Sequence, residues 1–174
     1  MNRKLIVMAL LAGSAFSSAS YAADGVVNFT GTITDAACTV SPSSTSATVA
    51  LGTISSKAFS AAGATSAPTR FGITLTTCPA SVTTASLKFD GPANSENSGL
   101  LALTSGAGVA TGVGIGIYES NSTTLIPVGT KSATKALASG ADTTFEFVAK
   151  YVSTAATVVS GKANATSNFT VSYN

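Results

Sequence analysis

The sequence predicts an all-β protein built as a β-sandwich around one core. Three observations carry this: apolar and polar residues alternate with a period of two in several separate runs, clusters of Gly, Pro, Ser and Asn punctuate those runs, and no stretch holds a 3.6-residue apolar period for three turns. The 174 residues, 45% of them hydrophobic, suffice for one domain that buries a core without help from a metal or cofactor.

The first element is a targeting segment. Asn2-Arg3-Lys4 supplies a positive start, residues 5–12 are apolar, and Ser20-Tyr21-Ala22 places small residues three and one positions before a cut, so residues 1–22 read as a secretory signal peptide. A membrane anchor needs about 20 apolar residues, whereas Ser14, Ser17, Ser18 and Ser20 break this run. Cleavage after Ala22 would remove Arg3 and Lys4 from the nine basic groups and none of the seven acidic ones. The remainder is neutral, which leaves no electrostatic case for nucleic acid or anionic lipid as a partner.

Strands follow. Residues 26–33 alternate and, counted from the cleavage point, Ala23, Gly25, Val27, Phe29, Gly31 and Ile33 share one face. Residues 71–75 (Phe-Gly-Ile-Thr-Leu) and 85–89 (Ala-Ser-Leu-Lys-Phe) alternate as well. Residues 112–119 interleave glycine with Val113, Ile115 and Ile117, which gives one aliphatic face and one of bare backbone. In 144–152, Phe145, Phe147, Ala149 and Tyr151 face one way, and Thr144, Glu146 and Lys150 the other. The chain ends on a last strand with Phe169, Val171 and Tyr173 on one face. Turn clusters at 41–44, 61–68, 90–95 and 105–108 separate these runs. Short strands at that spacing suit a sandwich with one core and no internal linker.

Cys38 and Cys78 are the two cysteines. In an exported chain an even pair reads as one disulfide, closing a loop of about 40 residues and stabilising by roughly 4 kcal/mol on the chain-entropy model. The alternative is a reactive thiol, which would want a His or a dense positive cluster to lower its pKa.

Catalytic chemistry has little to work with. The chain has no His and no Trp, which excludes Ser-His and Cys-His pairs and His-ligated metals. Ser132-Ala133-Thr134-Lys135 matches the S-x-x-K spacing of serine acyltransferases, but the S-D-N and K-T-G partners of that chemistry do not occur, and a turn or strand edge is the plain reading. The glycines at 112, 114 and 116 lack the spacing of a dinucleotide loop. Asn28, Asn121, Asn164 and Asn168 head N-x-[ST] triplets, which arise by chance in a chain so rich in Ser and Thr. The sequence therefore predicts no enzyme, no cofactor and no metal.

Both extremes of the processed chain are thus apolar strands, with Asp24 the one charge guarding either edge. Two readings are open: each strand pairs within its own sheet, or one of them adds to the sheet of another subunit.

The set Gly25-x-Val27-x-Phe29-x-Gly31, Asp35-Ala36-Ala37-Cys38-Thr39-Val40, Cys78 after Phe71–Leu75, Lys150-Tyr151, Gly161 fourteenth from the end and Tyr173 penultimate resembles the type 1 fimbrial major subunits, the pilins of the chaperone–usher pathway. The resemblance covers essentially the whole processed chain. It implies an incomplete immunoglobulin-like β-sandwich that lacks its final strand and is completed by a donor strand from a neighbouring subunit. Residues 23–31 would be the donor extension, with Ala23, Gly25, Val27, Phe29 and Gly31 on its inserting face and Val27 and Phe29 filling pockets. Residues 32–174 would be the pilin domain, with Gly161, Phe169, Val171 and Tyr173 on the side where a chaperone docks. Implied partners are identical or related pilins, a periplasmic fimbrial chaperone and an outer-membrane usher, and the implied destination is a fimbrium at the cell surface, reached through the periplasm. Only Ala23 and Asp24 precede Gly25, a shorter lead than many relatives have. The competing readings are a minor adaptor or tip pilin of the same pathway, a secreted receptor-binding module, and a hydrolase. A receptor-binding tip protein would need an added lectin domain, for which this length leaves no space.

Overall fold

The computed structural model describes residues 25–31, 33 and 37–174. The chain divides into two units, Met1–Ile33 and Thr34–Asn174. In the first, residues 25–31 and 33 belong to no helix or strand, and Val27 and Phe29 are 76% and 94% exposed. The alternation read there as a strand is not expressed as one, because a strand exists only against a partner whose backbone groups it can bond. The expected signal peptide, Ala23 and the Asp35-Ala36 pair lie outside the described residues.

The second unit is a two-sheet sandwich with every strand pair antiparallel. Its strands are β1 (Thr39–Val40), β2 (Thr69–Thr76), β3 (Thr84–Asp90), β4 (Val113–Glu119), β5 (Leu125–Ile126), β6 (Lys135–Ala136), β7 (Thr143–Ser153) and β8 (Asn168–Tyr173). One sheet runs β1-β2-β7-β4-β5 and the other β6-β3-β8. The longer strands fall on the predicted runs. The two-residue strands β1, β5 and β6 are too short to show an alternation. The Ser41-Pro42-Ser43-Ser44 cluster, expected as a turn, forms one helical turn, α1 (Pro42–Thr45), since proline's fixed φ suits a first helical position.

The period-two pattern sets the core. Phe71 lies opposite Phe147 and Ile73 opposite Phe145, while Ile115 pairs with Tyr151 and Ile117 with Ala149. Ala85, Leu87 and Phe89 of β3 enter from the other sheet and are buried. Phe89 meets Phe147 edge-to-face across the sandwich, with ring centroids 5.0 Å apart at 89°, an orientation that aligns ring edge with ring face.

The glycine face of β4 is not bare. A Cβ on Gly114 would lie 3.0 Å from the Leu101 carbonyl oxygen, and one on Gly116 would lie 2.7 Å from Cε2 of Tyr118. The glycines let Tyr118 fold back along its own strand, where it joins Leu100, Val148 and Val152 in a second small core on the outer side of the larger sheet. Lys150 covers the Tyr118 ring at 3.9 Å and donates to the Ser122 carbonyl at 2.7 Å, closing that outer layer.

Candidate strand-accepting groove

β8 carries the site. It pairs with β3 alone, Phe169 opposite Phe89, Val171 opposite Leu87 and Tyr173 opposite Ala85, and it stands at the edge of its sheet. Those three β3 residues point into the core, so Phe169, Val171 and Tyr173 do too. They remain half-buried where their β3 partners are fully buried. Their less buried side is the open edge of the sheet.

Next to Phe169 and the approach to β8 runs a groove of about 1040 Å³. Its floor is apolar, made by Phe71, Ile73, Phe89, Ile115 and Ile117, with Tyr151 at one end. Its walls are residues 163–169, the approach to β8 and its start, and residues 44–52, the end of α1 and the irregular segment that follows it. Each wall offers an alternating apolar row: Ala165 and Phe169 on one, Val49 and Leu51 on the other, all packed against the core. Beyond β3, β8 has no strand partner among the described residues, so its outer backbone edge is open to another strand, and at Asn168 and Phe169 that edge borders the groove. An extended chain laid there would gain ladder hydrogen bonds and a greasy floor together.

Side-chain hydrogen bonds fix the walls. The Tyr151 hydroxyl donates to the Ala163 carbonyl at 2.9 Å. Ser44 Oγ accepts from the Thr74 amide at 3.0 Å and Ser66 Oγ from the Tyr151 amide at 3.0 Å. Cys38 and Cys78 are joined in a disulfide across 40 residues of sequence, which ties the start of β1 to the end of β2. The Tyr173 hydroxyl donates to the Cys38 carbonyl at 3.4 Å. Burial pushes the phenols of Tyr151 and Tyr173 above their ordinary value, so both stay neutral and able to donate.

Of the residues singled out in the sequence, Cys38 with Cys78, and Phe169 with Val171 and Tyr173, are brought together here. Gly161 is not on β8 and does not line the groove. A Cβ on it would fall 2.5 Å from the Ala110 nitrogen and 2.6 Å from the Gly108 oxygen, so its glycine is required by the close crossing of two backbones, Val109 bridging Lys162, rather than by docking. Gly25, Val27, Phe29 and Gly31 lie in the first unit; nothing comes within 4 Å of a Cβ built on either glycine. Ser132 and Lys135 have structural work: Ser132 Oγ accepts the Leu87 amide at 3.0 Å, and Lys135 lies on β6 with its ammonium 5.7 Å from the Phe145 ring. The wall residues Val49, Leu51 and Ala165 were missed. Their alternation is present in the sequence, but its contrast is weak where Ala sits against Thr and Asn.

The family described as fimbrial protein matches residues 27–174. Long polar fimbria protein A of Salmonella typhimurium is 38% identical over 98% of this chain and 97% of its own length. Among solved structures, a Burkholderia pseudomallei antigen and type I fimbria protein is 38% identical with a TM-score of 0.60, covering 86% of this chain and 97% of that one. A subunit from the structure of a chaperone–usher pilus is 26% identical with a TM-score of 0.66, covering 87% and 96%. A strand-deficient sandwich matched over nearly its whole length by these proteins is a pilin, and the chain belongs to the fimbrial protein family.

Proposed function

We propose that the chain is the repeating structural subunit of a fimbria and that it polymerises by strand addition, the 23–31 extension of one copy lying in the groove of the next. One observation carries the reading: β8 is an edge strand with three half-buried apolar side chains, and an apolar groove opens beside its start at Phe169 and its approach. The exposed Val27 and Phe29 complement it. Burying each in a neighbour would stabilise by about 1.5–3 kcal/mol, added to backbone hydrogen bonds along the strand. Nine residues at strand rise span roughly 30 Å, a length suited to a groove that runs beside β8 and its approach.

Before assembly the open groove is a liability, since an unpaired apolar edge pairs with whatever strand it meets. A periplasmic chaperone lending a strand along β8, followed by handover at an outer-membrane usher, is the route that the similarity to a chaperone–usher pilus supports. The decisive experiment presents the extension-deleted subunit, held by its chaperone, with a synthetic peptide of residues 23–31. Release of chaperone with stoichiometric uptake of the peptide is expected; a peptide that never displaces it refutes the mechanism.

A further inference from the structure

We propose that the charge-poor pole made by residues 106–109 and 155–161, with Lys162 at its margin, is a second contact between consecutive subunits, receiving the body of the same neighbour whose extension occupies the groove. This rests on the strand-addition reading. β8 runs from this pole toward the other end of the sandwich, where Tyr173 meets Cys38. The subunit's own extension joins the domain just ahead of Cys38, so the Cys38 end is committed to the forward neighbour. An incoming donor parallel to β8 would bring its own domain to that same end. A donor antiparallel to β8 brings it to the opposite one, giving each neighbour a pole of its own and an open head-to-tail fibre.

The opposite pole suits a body-to-body contact. Neither segment contains a charged residue, and Val159 is 55% exposed beside the half-buried Val109 and Val158. Depletion of charge around exposed apolar side chains is the mark of an interface core. The pole is also rigid. Val159 and Thr111 exchange backbone hydrogen bonds at 3.1 and 3.2 Å, and the Lys162 amide donates to the Gly108 carbonyl at 2.8 Å. A Cβ on Gly112 would fall 2.5 Å from the Thr157 carbonyl oxygen, so the loops interlock backbone to backbone and little order need be gained on docking. Finally, the surface continues into the groove. Asn164 lines both the groove and a cavity of about 430 Å³ bounded by Gly106, Val109 and Lys162, so a chain leaving the groove at this end delivers its domain onto the pole.

The test separates the extension from the body. Full-length chains with Val159→Asp are compared with the unaltered chain for capture of a synthetic peptide of residues 23–33 and for polymerisation of whole subunits. Peptide capture stays within about twofold, because the peptide has no domain to dock, while whole-subunit association weakens about tenfold, the ratio equivalent to 1.4 kcal/mol. Ala156→Lys, at an exposed position of the same pole, gives the same split. Unchanged assembly with both variants overturns the proposal, and so does an equal fall in peptide capture, which would assign Val159 to the groove. Failure of the unaltered chain to take up the peptide overturns the strand-addition reading itself, and this inference with it.

Discussion

Tyr173 donates its phenolic hydrogen to the carbonyl of Cys38 across 3.4 Å, so the penultimate residue is fastened to one end of the Cys38–Cys78 bridge. The disulfide thus steadies the strand that forms the rim of the groove as well as shortening the unfolded chain. Closing a loop of 40 residues stabilises by about 4 kcal/mol on the chain-entropy model. That is a large part of the roughly 5–15 kcal/mol available to a complete domain, and this one lacks a strand. Cys38→Ser and Cys78→Ser, singly or together, are therefore expected to abolish accumulation of subunit in the periplasm. Wild-type yield of the double variant would contradict this.

Tyr173 can be dissected further. Tyr173→Phe removes only the bond to Cys38, at a cost of about 1 kcal/mol, and chaperone capture should survive. Tyr173→Ser also strips the ring from the end of the Phe169, Val171, Tyr173 row, and deletion of the last residues removes ladder positions opposite Ala85 and Leu87; both should abolish co-purification with the chaperone. If the truncated chain co-purifies in equal amount, β8 is not the docking strand.

Alkaline pH probes the same packing. Burial raises the phenol pKa values of Tyr118, Tyr151 and Tyr173 above 10.0. A group whose folded pKa exceeds its unfolded one contributes stability that is complete below the unfolded value and lost as pH rises through the folded one. Stability should hold up to about pH 10 and decline above it, phenolate absorbance and loss of structure rising together beyond the ordinary tyrosine range. Phenolates appearing at the ordinary value with the fold intact would refute it.

How much of this was legible follows from the range over which each signal acts. Alternation in 71–75, 85–89, 144–152 and 168–173 placed β2, β3, β7 and β8 and gave the inward faces correctly, because a strand buried on one face writes its register into the sequence. The wall formed by Val49 and Leu51 was not seen, since its residues pair with no strand and acquire meaning only opposite β8. The packing of Tyr118 and Leu100 over Gly114 and Gly116 was equally hidden: a glycine states what is absent from a face, not what comes to cover it.

Gly161 makes that point testable. Its missing Cβ would strike backbone on two sides, at Ala110 and Gly108, and backbone cannot rotate away. Gly161→Ala should cost about 1–3 kcal/mol as overpacking, read as a lowered denaturation midpoint of the chaperone-free, strand-complemented subunit. Gly140→Ala, with positive φ but open space, should cost about 1 kcal/mol, and Gly25→Ala nothing measurable. Equal midpoints for Gly161→Ala and Gly25→Ala would show that the crossing of residues 108–110 and 161 is not tight.

The extension offers the sharpest separation of folding from assembly. If residues 23–31 belonged to their own sandwich, removing them would uncover core and unfold the subunit. A donor strand instead contributes nothing to its own domain and completes the next. Phe29, 94% exposed, has no burial to lose in its own subunit. Phe29→Asp, or deletion of 23–31, should therefore leave a disulfide-bonded subunit that the chaperone still holds but that cannot extend a fibre through that end. A copy of residues 25–32 joined after Asn174 through a flexible turn should enter the groove beside β8 from within the same chain. Burying the copied Val27 and Phe29 adds about 1.5–3 kcal/mol each, and each kcal/mol raises Tm by about 2–4 °C in a domain of this size, so the self-complemented monomer should melt roughly ten degrees higher. Fibres from the deleted chain, or an appended copy that leaves Tm unchanged, would mean that the groove takes some other strand.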